Sequence, residues 1–374
     1  MSELTVTIVG CGVIGYNHAR AMVALGGLRI AALVDAIPAA AAKLADYLES
    51  ELSVPRPPTF ETLADAGHAD LVVICTPSGL HVSVAEQAIS GGSNVVIEKP
   101  LDVNLPRARL IAELAHAAEA KGLVVSVISQ HRFDPASVVV DQAIRSGAFG
   151  RITSAVASVA WWRSQEYYDS GDWRGTWELD GGGAAMNQGV HTIDLLVWFL
   201  GTPVRISAET GRLAHDRIDV EDIAVATIRF ESGALAVLHA TTAAFPQLSV
   251  RVQVHGDRGS AILDDDQLAF FHAGGDGSDA GGGNQAADVV AADEVHGAPK
   301  ADDSFTQAHL RQYRDIVRAI DTHTAPGVRV DDALISLATV ESLYVSATLG
   351  VPVLFADVLA GRYDETVLVT GGTQ

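Results

Sequence analysis

The stretch Leu4-Thr5-Val6-Thr7-Ile8-Val9-Gly10-Cys11-Gly12-Val13-Ile14-Gly15 decides the fold. Its first six residues are apolar or β-branched, which predicts a strand buried on both faces. Three glycines follow at G-x-G-x-x-G spacing. A helical pattern covers 16–25, and a second apolar strand covers 28–34. That strand ends at Asp35, twenty positions after Gly15. In this setting each glycine has a task. Gly10 permits a tight turn, Gly12 lets the backbone approach a pyrophosphate, and Gly15 lets helix and strand pack closely. The pyrophosphate would sit at the helix start, at Val13 and Ile14, where free N–H groups and the helix dipole favour an anion. Asp35 would accept hydrogen bonds from ribose hydroxyls and repel a 2′-phosphate, and Ala36 and Ile37 offer no compensating cation. NAD is therefore favoured over NADP. The competing role for Asp35 is a turn residue before Pro38. Cys11 reads as a small loop filler rather than a nucleophile.

Outward from this unit the alternation continues. Helix is expected over 39–51, strand over 71–75, helix to about 88, strand over 94–97, helix over 105–120 and strand over 123–128. Apolar strands alternating with helices give a parallel, doubly wound sheet. In such sheets ligands lie beyond the carboxyl ends of strands. Thr76, Pro77 and His81 fall there after the third strand, Glu98 and Lys99 after the fourth, and Gln130 after the fifth. A lysine at a buried strand end reads as a proton-transfer or hydroxyl-binding group beside the nicotinamide. Its bland alternative is a surface salt bridge with Glu98.

After 130 the pattern changes. A helix to about 145 and a turn at 147–150 lead to an alternating strand over 152–160. Trp161-Trp162-Arg163 and Trp173-Arg174-Gly175-Thr176-Trp177 then hold four of the five tryptophans. Aromatic faces interleaved with arginine suit a polyhydroxylated ligand, with Arg163 as a substrate contact. They equally suit an aromatic-packed loop. The run Asp180-Gly181-Gly182-Gly183-Ala184-Ala185-Met186-Asn187-Gln188-Gly189-Val190-His191-Thr192-Ile193-Asp194 passes into an apolar helix. With a start near Met186, Asn187, His191 and Asp194 fall at i, i+4 and i+7 on one face. That face reads as the lining of a pocket, or as part of a capped core helix. Further strands are expected over 205–210, 224–230, 234–241, 248–255 and 260–263, in a mostly antiparallel sheet. The Gly- and Asp-rich segment 273–303 reads as an exposed, mobile loop in which His296 is solvated. Helices are expected over 305–323 and 331–349, and a last strand over 351–355.

The 374 residues carry 46 acidic against 25 basic side chains, a formal net charge of −21. That argues against nucleic acid or an anionic membrane as partner. Two cysteines, Cys11 and Cys75, make no disulfide framework and lack metal-ligand spacing, so no metal site is expected. No apolar run reaches membrane-spanning length, and the residues at 4–9 read as a strand rather than a signal peptide, so none is expected. A cytoplasmic location is the expectation.

On these residues the chain resembles the Gfo/Idh/MocA oxidoreductases, the glucose–fructose oxidoreductase and inositol dehydrogenase group. The glycine fingerprint, Thr76-Pro77 with His81, Glu98-Lys99-Pro100, and Gly182-Gly183 through Asn187, Gly189, His191 and Asp194 carry the resemblance, with Glu221-Asp222 following. It implies a Rossmann domain, placed at 1–129, and an α+β domain on a large, open, mostly antiparallel sheet, placed at 130–374. It also implies a homodimer or homotetramer, and a sugar or cyclitol hydroxyl oxidised between the domains. Lys99 matches the family's catalytic lysine and His191 its catalytic histidine. Inositol dehydrogenases of the family often carry aspartate where this chain has Asn187. An amide cannot act as a carboxylate base, which weighs against myo-inositol. Asn187 is then a substrate-orienting group. The lead-in at 173–180 resembles the branch of UDP-N-acetylglucosaminuronate dehydrogenases.

The expectation is an NAD-dependent dehydrogenase of a sugar, sugar acid or nucleotide sugar. His191 would be the base and Lys99 would stabilise the forming alkoxide; the reverse assignment remains open. Lys99, Gln130, Arg163, Asn187 and His191 are the substrate contacts. A cyclitol dehydrogenase, a non-catalytic NAD-binding regulator and an NAD-dependent glycoside hydrolase are the rival functions.

Overall fold

Why these residues form two kinds of sheet is visible in their burial. In a computed structural model, described here for residues 3–171, 173–274, 282–300 and 303–371, the chain divides into two units. One comprises Met1–Gln130 with Asp302–Leu334, the other His131–Ala301 with Ile335–Gln374.

The first unit holds strands β1 Leu4–Val9, β2 Leu28–Val34, β3 Thr59–Phe60, β4 Leu71–Ile74, β5 Asn94–Ile97 and β6 Val125–Val127. They pair in the order β3-β2-β1-β4-β5-β6, all in parallel. This is the doubly wound dinucleotide-binding order, with its reversal between β1 and β4. All four residues of β4 are buried, as strands covered by helices on both faces require. Helices α1 Val13–Leu25, α2 Pro38–Ser50, α3 His81–Ser90 and α4 Leu105–Glu119 follow β1, β2, β4 and β5. The core joins Val6, Ile8, Leu33, Leu44, Leu71 and Val96 to Leu310, Tyr313 and Ile316. The last three lie on a helix near the end of the chain, Ser304–Thr322. Its apolar stripe therefore completes the first unit's core.

The second unit holds β7 Ile152–Ala160, β8 Pro203–Gly211, β9 Ile223–Phe230, β10 Leu235–Thr241, β11 Val250–Gly256, β12 Ser260–Asp264, β13 Gln267–His272 and β14 Val353–Leu354. They form an eight-stranded sheet in the order β13-β12-β11-β7-β10-β9-β8-β14. Every neighbouring pair is antiparallel except β7–β10. β9 alternates buried and exposed positions along its length, the pattern of a sheet packed on one face. Helix α5, Pro135–Arg145, and helix α6, Val190–Leu200, belong to this unit. α6 packs on β7 and β11. The C-terminal helices are α7, Ser304–Thr322, and α8, Val330–Leu349.

The expected mix of a parallel and a mostly antiparallel sheet is present. Two strands have no counterpart in the sequence expectation, the short β3 and β13. In β13 the residues Leu268-Ala269-Phe270-Phe271 are consecutive and apolar, which hides the period of two. The turn before it places Asp265 and Asp266 at φ 46° and 66°, conformations that acidic residues tolerate in tight hairpins. Within the expected loop 273–303, residues 275–281 and 301–302 lie outside the described residues. The described part includes one short helix, Ala286–Val289, and His296 is exposed. Among the described residues no helix is long and apolar enough to cross a membrane.

Candidate active site

The glycine turn after β1 has the geometry its sequence demands. Gly10 sits at φ 98°, and a Cβ there would lie 2.5 Å from the carbonyl of Cys75. A Cβ on Gly15 would lie 2.5 Å from the carbonyl oxygen of Gly10, so helix and turn approach as closely as only glycine permits. Gly12 is different, because a Cβ there would meet no atom within 4 Å. The protein's own packing does not require glycine at that position, whereas close approach by an anionic ligand does. Gly12 caps α1 without a side-chain hydrogen bond, and Val13 beside it is exposed. The start of α1, with Val13 and Ile14, therefore offers backbone donors to an anion.

Asp35 closes the turn from the end of β2. Its Oδ2 accepts the Cys11 N–H at 2.8 Å and its Oδ1 accepts the Ile37 N–H at 2.8 Å. Each carboxylate oxygen can accept a second hydrogen bond, as ribose hydroxyls would need. Both roles expected for Asp35, turn former and acceptor, are compatible in one geometry. Burial, with Asp35 close by, pushes the Cys11 thiol up to about 12. Cys75 is likewise raised by burial. Neither thiol has the character of a nucleophile.

Beyond β4, Thr76 and Pro77 lead into a single turn, Ser78–Leu80. Thr76 Oγ1 is buried with no partner among the described residues. An orphaned hydroxyl at a strand end fits a dinucleotide-binding crevice. His81 is buried, with Nδ1 3.1 Å from the Leu101 carbonyl and Nε2 3.2 Å from that of Thr76. Burial holds its pKa below the usual value. His81 thus fixes the loop that carries Thr76.

Beyond β5, Glu98 is buried rather than at the surface. Its Oε1 lies 2.8 Å from Nε2 of His18 on α1 and 3.5 Å from Nε2 of His309 on α7. Its Oε2 accepts the backbone N–H of Lys99 at 3.0 Å. Burial alone would raise the carboxyl, but the His18 and His309 imidazoles hold it well below the usual range. A carboxylate accepts only, so His18 donates from Nε2. Its Nδ1 then accepts from the Tyr313 hydroxyl at 2.6 Å. The Glu98 carboxylate therefore anchors the Lys99 backbone, and Lys99 itself is half-buried. Gln130 is buried at the end of the same unit.

In the second unit the expected helix start at Met186 is displaced. Residues Ala184–Gln188 form a π-helical turn, in which the Gly189 N–H reaches the Ala184 carbonyl at 2.7 Å. α6 begins only at Val190. The polar face of three residues is reduced accordingly. Asp194 is buried and takes Arg132 through two bonds of 2.7 Å. It also accepts from Ser336 at 2.8 Å. Its role is to lock α6. Asn187 and His191 remain half-buried. Asn187 donates from Nδ2 to the Asp180 carboxylate.

The turn is held by a residue far away in sequence. Glu221 accepts from the Gly183 and Ala185 N–H groups and from the Tyr344 hydroxyl, each at 2.9 Å. Gly183 is obligatory, since a Cβ there would overlap the Glu221 carbonyl. Burial raises the Glu221 carboxyl to about 7, against those hydrogen bonds. The neighbouring Asp222 pairs with His215, Oδ2 to Nδ1 at 3.0 Å, and His215 Nε2 donates to the Arg163 carbonyl at 2.7 Å.

His191 also has a neighbour that its own motif does not reveal. The ring of His131 meets it edge-on, with centroids 5.1 Å apart. His131 Nδ1 lies 2.8 Å from Asp134 and 3.2 Å from Asp266. Burial opposes its charge, yet Asp266 and Asp134 carry the imidazole up to about 9. The only sequence signal for this contact is the cluster Gln130-His131-Arg132 at a strand end. Arg163 lies half-buried against Trp161 and Tyr167, its guanidinium carbon 4.9 and 5.0 Å from the ring centroids.

Comparisons with known proteins bear on the fold and the cofactor. Residues 4–129 match the family described as oxidoreductases with an NAD-binding Rossmann fold. Residues 138–262 match the Gfo/Idh/MocA C-terminal domain. Inositol 2-dehydrogenase of Rhizobium meliloti is 27% identical over 276 residues, spanning 72% of this chain and 78% of that protein. Levoglucosan dehydrogenase of Pseudarthrobacter phenanthrenivorans is 25% identical over 72% of this chain and 77% of its own. Among solved structures, the WlbA dehydrogenase of Bordetella pertussis, in complex with NADH and UDP-GlcNAcA, superimposes with a TM-score of 0.79 at 28% identity. It covers 94% of this chain and 97% of its own. With an NAD-binding Rossmann unit and this second domain, the chain belongs to the Gfo/Idh/MocA family of oxidoreductases.

Proposed function

We propose that the protein is an NAD-dependent dehydrogenase that oxidises a secondary hydroxyl of a sugar, sugar acid or nucleotide sugar. The observation that carries this is the anchoring of Lys99. A buried, ionised Glu98 grips its backbone at a strand end of an NAD-binding sheet. Bound NAD supplies the acceptor for the substrate's hydride. Gly10, Gly12, Val13, Ile14 and Gly15 cradle its pyrophosphate, and Asp35 takes the ribose hydroxyls and disfavours NADP. Thr76, Pro77, His81 and Glu98 shape the loops at its other end. His191 accepts the hydroxyl proton, because its ordinary pKa lies near neutral pH. Lys99 stabilises the oxygen as negative charge develops. Asn187, oriented by Asp180, positions the substrate together with Gln130 and Arg163.

A cyclitol is the second reading, favoured by the similarity to inositol 2-dehydrogenase. Asn187 in place of a carboxylate argues for the sugar instead. The proposal carries a homodimer or homotetramer in the cytoplasm. Val225 on β9 and Leu235 and Val237 on β10 support association, since they leave an apolar, exposed face on the large sheet.

The test is NADH formation by the purified protein over neutral sugars, inositols, sugar acids and nucleotide sugars, with Lys99→Ala and His191→Ala alongside. Turnover confined to one class and lost in both variants is expected. Turnover that survives Lys99→Ala would remove the proposed role of the lysine.

A further inference from the structure

The aromatic loop after β7 contains an ordered stack that a sugar alone does not explain. Arg163 lies against Trp161 and Tyr167. Arg174 lies over Tyr167 and Trp173, 4.3 Å from each centroid. Three rings and two guanidinium groups thus alternate. Arg174 also donates from Nη1 to the Tyr167 hydroxyl at 2.7 Å. Such stacking covers the faces of a guanidinium and leaves its edge, where the N–H donors are, for a planar anion.

Neither arginine has a carboxylate partner among the described residues, although acidic side chains outnumber basic ones almost two to one. Four acids of the neighbouring segments are engaged elsewhere. Asp169 takes Arg217 at 2.6 Å. Asp180 accepts the Gly175 N–H at 2.8 Å and the Asn187 amide. Asp222 takes His215, and Glu221 takes the turn at 183–185. Arg163 Nε is buried with no acceptor among the described residues. Two half-buried cations with no carboxylate partner among the described residues, in a chain of net charge −21, are costly unless an anion completes them.

The pair is also fixed to the elements that carry Asn187 and His191. The Arg163 N–H donates to the Thr242 carbonyl at 2.9 Å, and its own carbonyl accepts from His215. Asp222 orients His215, and Glu221 beside it holds Gly183 and Ala185. On the other side Asp180 joins Gly175, next to Arg174, to Asn187. One frame of hydrogen bonds therefore sets both guanidinium groups and the signature turn.

We propose that Arg163 and Arg174 form an anion-recognition site, so that the substrate carries a carboxylate or a phosphoryl group. This rests on the dehydrogenase reading for assigning the anion to the substrate. The two sources differ in chemistry: a carboxylate belongs to a sugar acid, a phosphoryl group to a nucleotide sugar.

The experiment uses the full chain with a matched series. Its members are a neutral sugar, the corresponding uronic acid, the nucleoside-diphosphate sugar and the nucleoside-diphosphate uronic acid. Steady-state NADH formation is measured, and calorimetric titration of the NADH-saturated protein is run with the same ligands. Charge-assisted, bidentate contacts predict at least about 100-fold higher kcat/KM for charged members. Arg163→Gln and Arg174→Gln are each expected to raise KM at least about 10-fold more for a charged member than for its neutral counterpart, with kcat changed far less. Arg163→Lys should restore part of that ratio. A gain on adding the carboxylate identifies the sugar acid as the source, and a gain on adding the diphosphate identifies the nucleotide. Equal constants for charged and neutral members overturn the inference while the dehydrogenase stands. So does an equal loss for both in the variants, because it marks a merely structural stack. If no member reduces NAD, the dehydrogenase reading fails, and the titration still decides the site. Charged-ligand binding weakened in the variants supports it, and binding that is absent or unchanged overturns it.

Discussion

Replacing Glu221 by glutamine removes a titratable group from the turn that carries Asn187 and His191. Glu221 is fully buried. Burial raises its carboxyl from the ordinary 4.5 to about 7, despite hydrogen bonds from Ala185, Tyr344 and Gly183. The folded state therefore holds the proton more tightly than the unfolded chain. Its contribution to stability is fully present below 4.5 and is lost as pH rises through about 7. At ~1.4 kcal/mol per tenfold change, that interval corresponds to about 3 kcal/mol. The glutamine variant has no proton to lose. Thermal unfolding of both proteins, followed by tryptophan fluorescence between about pH 5 and pH 8, reads the difference. Four of the five tryptophans lie in the same unit at 161–177, so the probe reports where the change is made. The wild type should lose about 2.5 kcal/mol more than the variant across this range, a drop in Tm larger by roughly 5–10 °C. Parallel pH profiles, or a wild type that gains on the variant as pH rises, would refute the linkage.

Three further outcomes follow from the geometry. Asp194→Asn leaves Arg132 buried without its carboxylate and should cost about 3–5 kcal/mol in denaturant unfolding. Replacing both residues by apolar ones should cost far less, and equal losses would contradict a paired-charge origin. Gly15→Ala places a Cβ 2.5 Å from the Gly10 carbonyl oxygen. About 1–3 kcal/mol of lost stability and weakened NAD binding are expected, against an unchanged Kd if the contact yields freely. Asp35→Ala should weaken NAD binding at least about 10-fold while narrowing or reversing the preference over NADP. Tighter NADP than NAD binding by the unaltered protein would remove the role given to Asp35.

The first unit was legible because its information is local. A strand, three glycines, a helix and an acid occupy 4–35, and each glycine constrains the backbone within a few residues of itself. Gly10 is the partial exception, since the atoms it must avoid belong to Cys75 on the neighbouring strand. The second unit's site was legible in its residue types and not in its geometry. Asn187 and His191 stand out by chemistry, but the π-helical turn that separates them from a regular helical register has no periodicity signal. That turn is sustained by Glu221, 38 positions from Gly183, through bonds no spacing rule anticipates. The same holds for His131, whose charge depends on Asp266 from a hairpin in β12–β13. It holds again for His309, brought to Glu98 by a helix some 200 residues downstream. Asp194 shows where spacing leaves two roles open. It suited a pocket wall or a structural brace for its helix, and Arg132, the third residue of Gln130-His131-Arg132, takes it for the frame.

The central claim, that the protein moves a hydride from a carbinol carbon to NAD, is tested most directly by isotope transfer. A substrate deuterated at the oxidised carbon is incubated with the protein and NAD, and the nicotinamide product is examined by mass spectrometry. Direct hydride transfer places deuterium in the reduced cofactor in proportion to turnover, and none with Lys99→Ala. Deuterium that remains in the organic product, or exchanges into water while NAD is not consumed, would contradict it.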